Sequence, residues 1–407
     1  VRLGVPKPEI SAYSMDYAPG GKAPVSLIKG WIESNLQSLK EVGTKYLYVT
    51  DSAYFKALTK QSKAEPHMGY VLPCAIKGFE DINVVLGVNY QALMYKPELQ
   101  EKVDLSLKTL ADHSNGTYQA IGSGIIHAAE YPRTNQEIAM ALNKLHAYPK
   151  LAADIEAFSL HFYEAGVGTI GFAPSQHSGV AFACDYKPLA QPIDGQYGIA
   201  EANPVVRTMI RECLENYQGE ITWHNSSYDL KVLIYTLWMK DPLDTAGLLK
   251  GLKVLTRNFQ DSKIIAYLAL NSTARNSYSL KDLAHEFAGN WAQAEIKDIR
   301  KIPLPELLQY NLIDCLSTNY VKDKYEPRMI QDDQEDIYRN LMLPSLKTII
   351  QMELTGMPMN MATIKAKKAE MEAEEARCRK IIDNHPLVQE VNYFLQEKAM
   401  LAKQATL

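Results

Sequence analysis

The sequence predicts an α/β fold: a mixed sheet flanked by helices over residues 151–330, preceded by a small α/β unit over 1–150 and followed by a helical segment over 331–407. Three observations carry this prediction. Short apolar runs alternate with helix-period segments through the first 330 residues, the pattern of strands and helices that share a core. Tyr148-Pro149-Lys150 interrupts a helical stretch just before the strongest strand signal, because Pro breaks a preceding helix. Beyond Gly356-Met357-Pro358 the composition turns to Ala, Glu, Lys and Met, all good helix formers.

In the first block, Tyr46–Val49 (YLYV) and Val84–Val88 (VVLGV) read as strands, with helices around Val103–Leu110 and Ile138–Leu145. The second block opens on a strand, Leu151–Phe158. Strands Gly168–Ala173 and Gly179–Cys184 follow, separated by a turn at Pro174–Ser178. A helix over Pro204–Glu215 precedes a short strand, Ile221–Trp223. Leu230, Leu233, Ile234 and Leu237 then keep the i, i+3, i+4, i+7 spacing of one buried helix face. Further helices are expected near Asp261–Leu270, Ser279–Phe287 and Leu304–Lys322. Strands first, then strand and helix in alternation, indicate a mixed sheet flanked by helices. In the last block Pro344 suits an early turn and Asn360 an N-cap. Met361–Ile382 has too few regular apolar positions for a core helix, so it reads as a projecting helix or half of a helical hairpin.

Composition narrows the function classes. Hydrophobic residues at 46% and charged residues at 22% exclude a disordered chain, a collagen and a disulfide mini-scaffold. The sequence has no apolar run long enough for a spanning helix. The start, VRLGVPKPEI, shows no signal-peptide pattern, and an initial Val is expected of a processed or trimmed chain. The five cysteines include no CxxC pair, so a reducing setting is expected rather than disulfides or a Cys zinc site. N-x-S/T triplets at Asn115, Asn225 and Asn271 read as chance. The net charge of −4 is unevenly spread: residues 1–150 hold 16 Lys+Arg against 14 Asp+Glu, and residues 151–330 hold 17 against 21. A protein relying on a broad basic DNA-binding surface would be more positive. The acidic centre points instead to a carboxylate-rich site that needs cations.

Four motifs stand out, each with a bland reading when taken singly. Gly166-x-Gly168-x-x-Gly171 matches a dinucleotide fingerprint on paper, but Ile170–Ala173 continues as strand where the fingerprint needs a helix, so these read as turn glycines. Asp154-Ile155-Glu156 lies within the first strand of the second block, and residues two apart on a strand share a face. Alone, that pair is compatible with a solvated strand face. His224-Asn225-Ser226-Ser227-Tyr228-Asp229 follows a strand and opens a helix, with Asn225 a plausible N-cap and Asp229 one turn later. Tyr310 and Asp314 stand i, i+4 on one helix face, away from the stripe Leu304, Leu308, Leu312, Cys315 and Leu316.

The ordered set DxE, N-x-x-x-D, Y-x-x-x-D resembles the DEDD superfamily of 3′–5′ exonucleases, in the subclass with Tyr in the third motif. More specifically it is similar to the proofreading domain of family A, DNA polymerase I-like, DNA polymerases. Asp261–Leu270 with Ser279-Leu280-Lys281-Asp282-Leu283-Ala284 resembles that domain's D…YLL…SLxxLA region. Leu343-Pro344…Met352-Glu353-Leu354-Thr355-Gly356-Met357 resembles the L-x-P…ME-x-x-G segment where the thumb begins. The resemblance covers about 150–385 and implies a ribonuclease H-like exonuclease domain with a thumb-like tail. The family's palm and fingers motifs are absent, so the chain is a piece of a split polymerase, a fragment of a longer one, or a stand-alone exonuclease. Residues 1–150 are assigned only as an α/β accessory domain.

Phosphodiester hydrolysis needs a strong nucleophile at neutral pH and charge stabilisation on the attacking and leaving oxygens, which two divalent ions about 3.5–4 Å apart can supply. Hard ions such as Mg²⁺ or Mn²⁺ favour carboxylate ligands. The resemblance implies that Asp154, Glu156, Asp229 and Asp314 hold two such ions, Asp154 bridging them. It implies that Glu156 and Asp314 complete the site of the nucleophilic water and that Asp229 serves the ion at the leaving 3′ oxygen. Tyr310, with an ordinary pKa near 10, should stay protonated and orient the water. Leu160 falls where the family makes an apolar contact to the terminal base, and Asn225 would steady the site or touch substrate. Expected partners are a single-stranded DNA 3′ end, primer–template DNA and a polymerase half elsewhere, with no membrane. The expected setting is a bacterial or phage-infected cytoplasm. An RNA-trimming enzyme of the same superfamily and a non-catalytic scaffold are the alternatives.

Overall fold

The computed structural model describes residues 10–15, 23–96, 99–270, 277–292 and 296–404. The Asn271 triplet lies outside the described residues. The chain divides into two units, residues 1–354 and 355–407.

The first unit begins with α1 (Val25–Glu41), β1 (Tyr46–Val49), α2 (Ser52–Thr59), β2 (Val71–Pro73), β3 (Asn83–Leu86) and α3 (Gln100–Ser114). The three strands form a small sheet in the order β1-β3-β2, parallel between β1 and β3 and antiparallel between β2 and β3. Helix α1 buries Ile28, Ile32 and Leu36, the i, i+4, i+8 row of one face. Asp51 caps α2 by accepting from Ala53 N and Tyr54 N, which satisfies two amides that a helix start leaves unpaired.

The main sheet draws on β4 (Ala128–Glu130), β5 (Lys150–Glu156), β6 (Thr169–Ala173), β7 (Ser178–Ala183), β10 (Glu220–Trp223) and β11 (Phe259–Asp261). Its order is β11-β10-β5-β6-β7-β4. Strands β11, β10 and β5 run parallel, β5-β6-β7 is an antiparallel meander, and β4 pairs parallel with β7. The expected mixed sheet flanked by helices is therefore present. A separate hairpin, β8 (Tyr186–Ile193) and β9 (Gln196–Ala200), follows β7.

The helices of this region, in chain order, are α4 (Asn135–Leu145), α5 (Phe162–Ala165), α6 (Pro204–Asn216), α7 (Ser227–Leu237), α8 (Thr245–Leu255), α9 (Ser262–Ala269), α10 (Leu280–Leu283), α11 (His285–Ala288) and α12 (Leu304–Gln331). Every residue of β6 is buried, because both faces of the strand are covered. Ile170 and Phe172 enter the main core, while Ala173 packs with Leu308, Leu312, Cys315 and Leu316 of α12 on the other side. Gly171 permits this close helix approach: a Cβ there would lie 2.7 Å from Cys315 Sγ.

Packing does not change at residue 150, where the sequence pattern predicts a boundary. Strand β4 and helix α4 lie before that point, yet β4 is the edge of the main sheet and Ile138, Ala141, Leu142 and Leu145 join its core. At the other end, α12 continues past Lys322 to Gln331. It is followed by α13 (Glu335–Ile337), a π-helical turn at Tyr338–Met342 and α14 (Leu343–Thr355). Tyr338, Leu343, Ile350 and Leu354 belong to the same core, so the packed unit runs well beyond residue 330.

The second unit is a pair of helices, α15 (Met361–Asp383) and α16 (Pro386–Gln404). Asn360 is the N-cap, as expected, accepting from Ala362 N and Thr363 N. No residue of α15 is buried. Among the described residues no helix is long and apolar enough to cross a membrane. All five cysteines are free, and only Cys378 is exposed.

Candidate active site

Three elements converge on one acidic centre. Strand β5 lies inside the main sheet and carries Asp154 and Glu156, which share a face because side chains alternate along a strand. Helix α12 crosses β5, β6 and β7 and brings Tyr310 and Asp314, one turn apart, to that face. Helix α7, entered directly from the end of β10, contributes Asp229 from its first turn. One oxygen each from Asp154, Glu156 and Asp314 lie within 4.8 Å of one another, the sole such group of potential metal ligands among the described residues. Asp229 stands outside this tight trio, buried, and near enough to raise the pKa of both Asp154 and Glu156.

The electrostatics follow from placing four carboxyls together away from water. Burial first, then the charges of Asp314 and Asp229, pushes Asp154 and Glu156 well above the ordinary carboxylate range. Burial lifts Asp229 to about 8, with backbone N–H groups of Asp229 and Ile155 pulling the other way. Asp314 is raised to about 7 by burial, against the opposing pull of Lys281 and of a hydrogen bond from Tyr310. The Tyr310 hydroxyl is driven far above its usual value by burial and the same carboxylates, so it stays protonated. Lys281 Nζ sits 5.5 Å from the centroid of the Tyr310 ring, a cation–π distance.

The loop that launches α7 is built differently from its sequence reading. Asn225 is not the N-cap: the cap position is Ser226, whose side chain makes no capping bond. Asn225 instead adopts a left-handed backbone, φ +64°, and its Oδ1 accepts from Lys263 Nζ at 3.1 Å. The buried carboxylate of Asp261, at the end of β11, replaces the missing cap. It accepts from Asn225 N, Ser226 N and Ser226 Oγ, and also from Lys263 N and Ile264 N. One aspartate thus fixes the start of α7 and of α9, and with it the position of Asp229. His224 is held at about 4 by burial and so is neutral. Its Nε2–H donates to the Tyr278 carbonyl, and its Nδ1 accepts from Ser262 Oγ. Leu160 lies in the loop after β5, 88% exposed. The preceding residue is tethered, since the Tyr228 hydroxyl donates to the Ser159 carbonyl at 2.6 Å.

Sequence reasoning passes over Asn311, the residue after Tyr310. It is fully buried, and its Nδ2 donates to Asp154 Oδ2 at 2.7 Å. Its Oδ1 accepts from Thr169 Oγ1 at 3.2 Å. Asp261 and Lys281 fall in stretches that resemble the family, but nothing in the sequence pattern gives either a role. The available signal for Asn311 is a polar residue between Tyr310 and Leu312 on the side of α12 that meets the sheet.

The donor set suits a hard divalent cation. Asp314 Oδ1 is buried without a hydrogen-bond partner, a costly state for a carboxylate oxygen unless something positive occupies the space beside it. Oxygen-only ligands in a cluster that repels itself are what Mg²⁺ or Mn²⁺ coordination requires. Such a centre can hold cations, and beside it stands a protonated phenol suited to orienting a water.

No family model matches the chain, and no curated protein matches it. Among solved structures, Brucella melitensis NrnC with bound Mg²⁺ is similar at 15% identity and a TM-score of 0.37, over 56% of this chain and 92% of that one. Escherichia coli RNase D, an exoribonuclease involved in structured RNA processing, is similar at 14% identity and a TM-score of 0.38, over 56% of this chain and 51% of that one. The POL domain of Pol1 from M. smegmatis, in complex with DNA primer–template and dNTP, is similar at 13% identity and 0.39, over 63% and 37%.

Proposed function

We propose that the chain is a divalent-metal-dependent 3′–5′ exonuclease that removes nucleoside 5′-monophosphates from the single-stranded 3′ end of DNA. The observation that carries this reading is the convergence of Asp154, Glu156 and Asp314 within 4.8 Å, with Asp229 and Tyr310 beside them in the motif order of a DEDD exonuclease. Divalent cations held by these carboxylates would lower the pKa of a bound water and offset charge on the leaving oxygen. Asp154, Glu156 and Asp314 are the ligands closest together, and Asp229 completes the set from α7. Tyr310, kept protonated by burial and its acidic surroundings, would turn its hydroxyl from Asp314 to the attacking water, orienting it without removing its proton. Leu160 offers an apolar contact to the terminal base. Asn225 and Lys263 steady the loop that leads into α7.

The finer proposal is a proofreading role beside a DNA polymerase, with two ions in the site. It is supported by the stretch from Leu343-Pro344 to Met352-Glu353-Leu354-Thr355-Gly356 and by the exposed helices that follow it. A strand labelled at its 5′ end tests the reading. In Mg²⁺, single-stranded DNA should shorten stepwise from the 3′ end, faster than a matched RNA strand. Preference for RNA would move the substrate to the RNA-trimming alternative, and 5′-first release would reject the exonuclease polarity.

A further inference from the structure

We infer that Thr169 and Asn311 form a relay that fixes the Asp154 carboxylate for cation binding, which makes Asn311 a positioning residue of the site; this rests on the exonuclease reading above. Asn311 Nδ2 holds Asp154 Oδ2 at 2.7 Å, and Thr169 Oγ1 holds Asn311 Oδ1 at 3.2 Å. Both Asn311 and Thr169 are fully buried, so neither bond is exchanged readily with water.

An amide has a donor end and an acceptor end. The Thr169 hydroxyl occupies the acceptor end, which leaves the NH₂ group committed to Asp154. A carboxylate gripped at one oxygen cannot turn freely about its terminal torsion. A neutral donor does this without cancelling the charge that a cation needs, whereas a Lys or Arg in the same place would neutralise it. The backbone is shaped for this approach. Strands β5 and β6 place Gly171 opposite Asp154 and Thr169 opposite Glu156. A Cβ on Gly171 would stand 3.3 Å from Asn311 Oδ1 and 2.7 Å from Cys315 Sγ, so the missing side chain lets α12 bring Asn311 to the strand. Groups that orient a metal ligand typically matter by about 10- to 100-fold in metal affinity or activity.

The test measures Mn²⁺ binding by calorimetry alongside the Mg²⁺ dependence of 3′-end release. Asn311→Ala should weaken Mn²⁺ binding by about 10- to 100-fold. Thr169→Val, nearly the same shape without the hydroxyl, should weaken it by about tenfold at the lower end of that range and raise the half-saturating Mg²⁺ concentration in parallel. The rate at saturating Mg²⁺ should largely recover. Thr169→Ser, which keeps the hydroxyl, should restore Mn²⁺ affinity. Wild-type Mn²⁺ affinity in both Asn311→Ala and Thr169→Val would overturn the relay. Equal loss in Thr169→Ser and Thr169→Val would overturn it as well, since shape rather than the hydroxyl would be responsible. If Asn311→Ala does not fold, the two Thr169 variants decide the question. A wild-type protein that binds Mn²⁺, loses affinity in these variants and degrades no nucleic acid would support the relay and reject the exonuclease reading. A wild-type protein that binds no Mn²⁺ would overturn both.

Discussion

Asp229→Asn alters the electrostatics of the acidic centre with little change in shape. Burial and neighbouring acids hold the Asp229 carboxyl at about 8, against an ordinary value of 3.8. A carboxyl whose folded value lies above its unfolded value binds its proton more tightly when folded. It therefore withdraws stability from the cation-free protein as pH rises from the unfolded value to the folded one, and no further above that. Between pH 6 and pH 8 one such group accounts for about 2–3 kcal/mol, at about 1.36 kcal/mol per pH unit. With about 2.1 cal/mol/K of unfolding entropy per residue, residues 1–354 turn each kcal/mol into about 1.3 °C. In EDTA the wild type should thus lose about 3–4 °C more than Asp229→Asn between pH 6 and pH 8. The asparagine oxygen can still accept the backbone N–H groups that Asp229 meets, so the fold should be kept. Adding Mg²⁺ at pH 8 should raise the wild-type melting temperature and raise that of the variant less. Scanning calorimetry or thermal-shift measurements provide both comparisons. Parallel pH curves for the two proteins in EDTA would show that Asp229 does not hold a proton against its neighbours.

Further outcomes are expected. Tyr310→Phe should preserve the Mg²⁺-induced rise in melting temperature yet slow hydrolysis by about 10²-fold; loss of the metal response would make Tyr310 structural instead. Gly171→Ala should destabilise the fold by about 1–3 kcal/mol through the clash with Cys315 and reduce activity by lifting α12 from β6, which denaturant unfolding and 3′-end release would report together. Neutralising Lys365, Lys367 and Lys368 on the exposed helix α15 should weaken primer–template binding and flatten its salt dependence by about one unit for each phosphate these lysines neutralise. Those lysines include two that pair along the helix, Lys367 with Glu370 and Lys368 with Glu372; an unchanged salt slope would show that they do no more than that.

The parts of the site that are legible in the sequence are those fixed by local periodicity. Asp154 and Glu156 share a face because a strand alternates, and Tyr310 and Asp314 share one because a helix repeats every 3.6 residues. Strands β5, β6, β7 and β10 and helix α7 are predictable from apolar spacing, α15 is legible from composition alone, and α1 and α8 go unmarked. What escapes depends on long-range pairing or lacks an apolar pattern. Asn311 meets Thr169 across 142 positions, and Asn225 meets the Asp261 carboxylate across 36. No local rule reaches that far. Asn225 resembles an N-cap because its composition and position suit one; the buried carboxylate that takes over that role lies on another strand. The β8–β9 hairpin escapes because β8 is largely exposed and carries Lys187, Pro188, Gln191 and Pro192 rather than an alternating apolar row. Strand β4 is three exposed residues, Ala-Ala-Glu, recognisable only by its pairing with β7, and that is why the sequence pattern puts a boundary at Pro149.

The fate of the 3′-terminal nucleotide decides whether the four carboxylates work as a metal-dependent 3′–5′ exonuclease. A single-stranded DNA carrying its label in that nucleotide is incubated with wild type, with wild type in EDTA, and with Asp154→Ala. Wild type in Mg²⁺ should release the label first, as a nucleoside 5′-monophosphate, and EDTA and Asp154→Ala should each abolish the release. Robust release in EDTA, undiminished release by Asp154→Ala, or a labelled product carrying a 3′-phosphate would contradict that function.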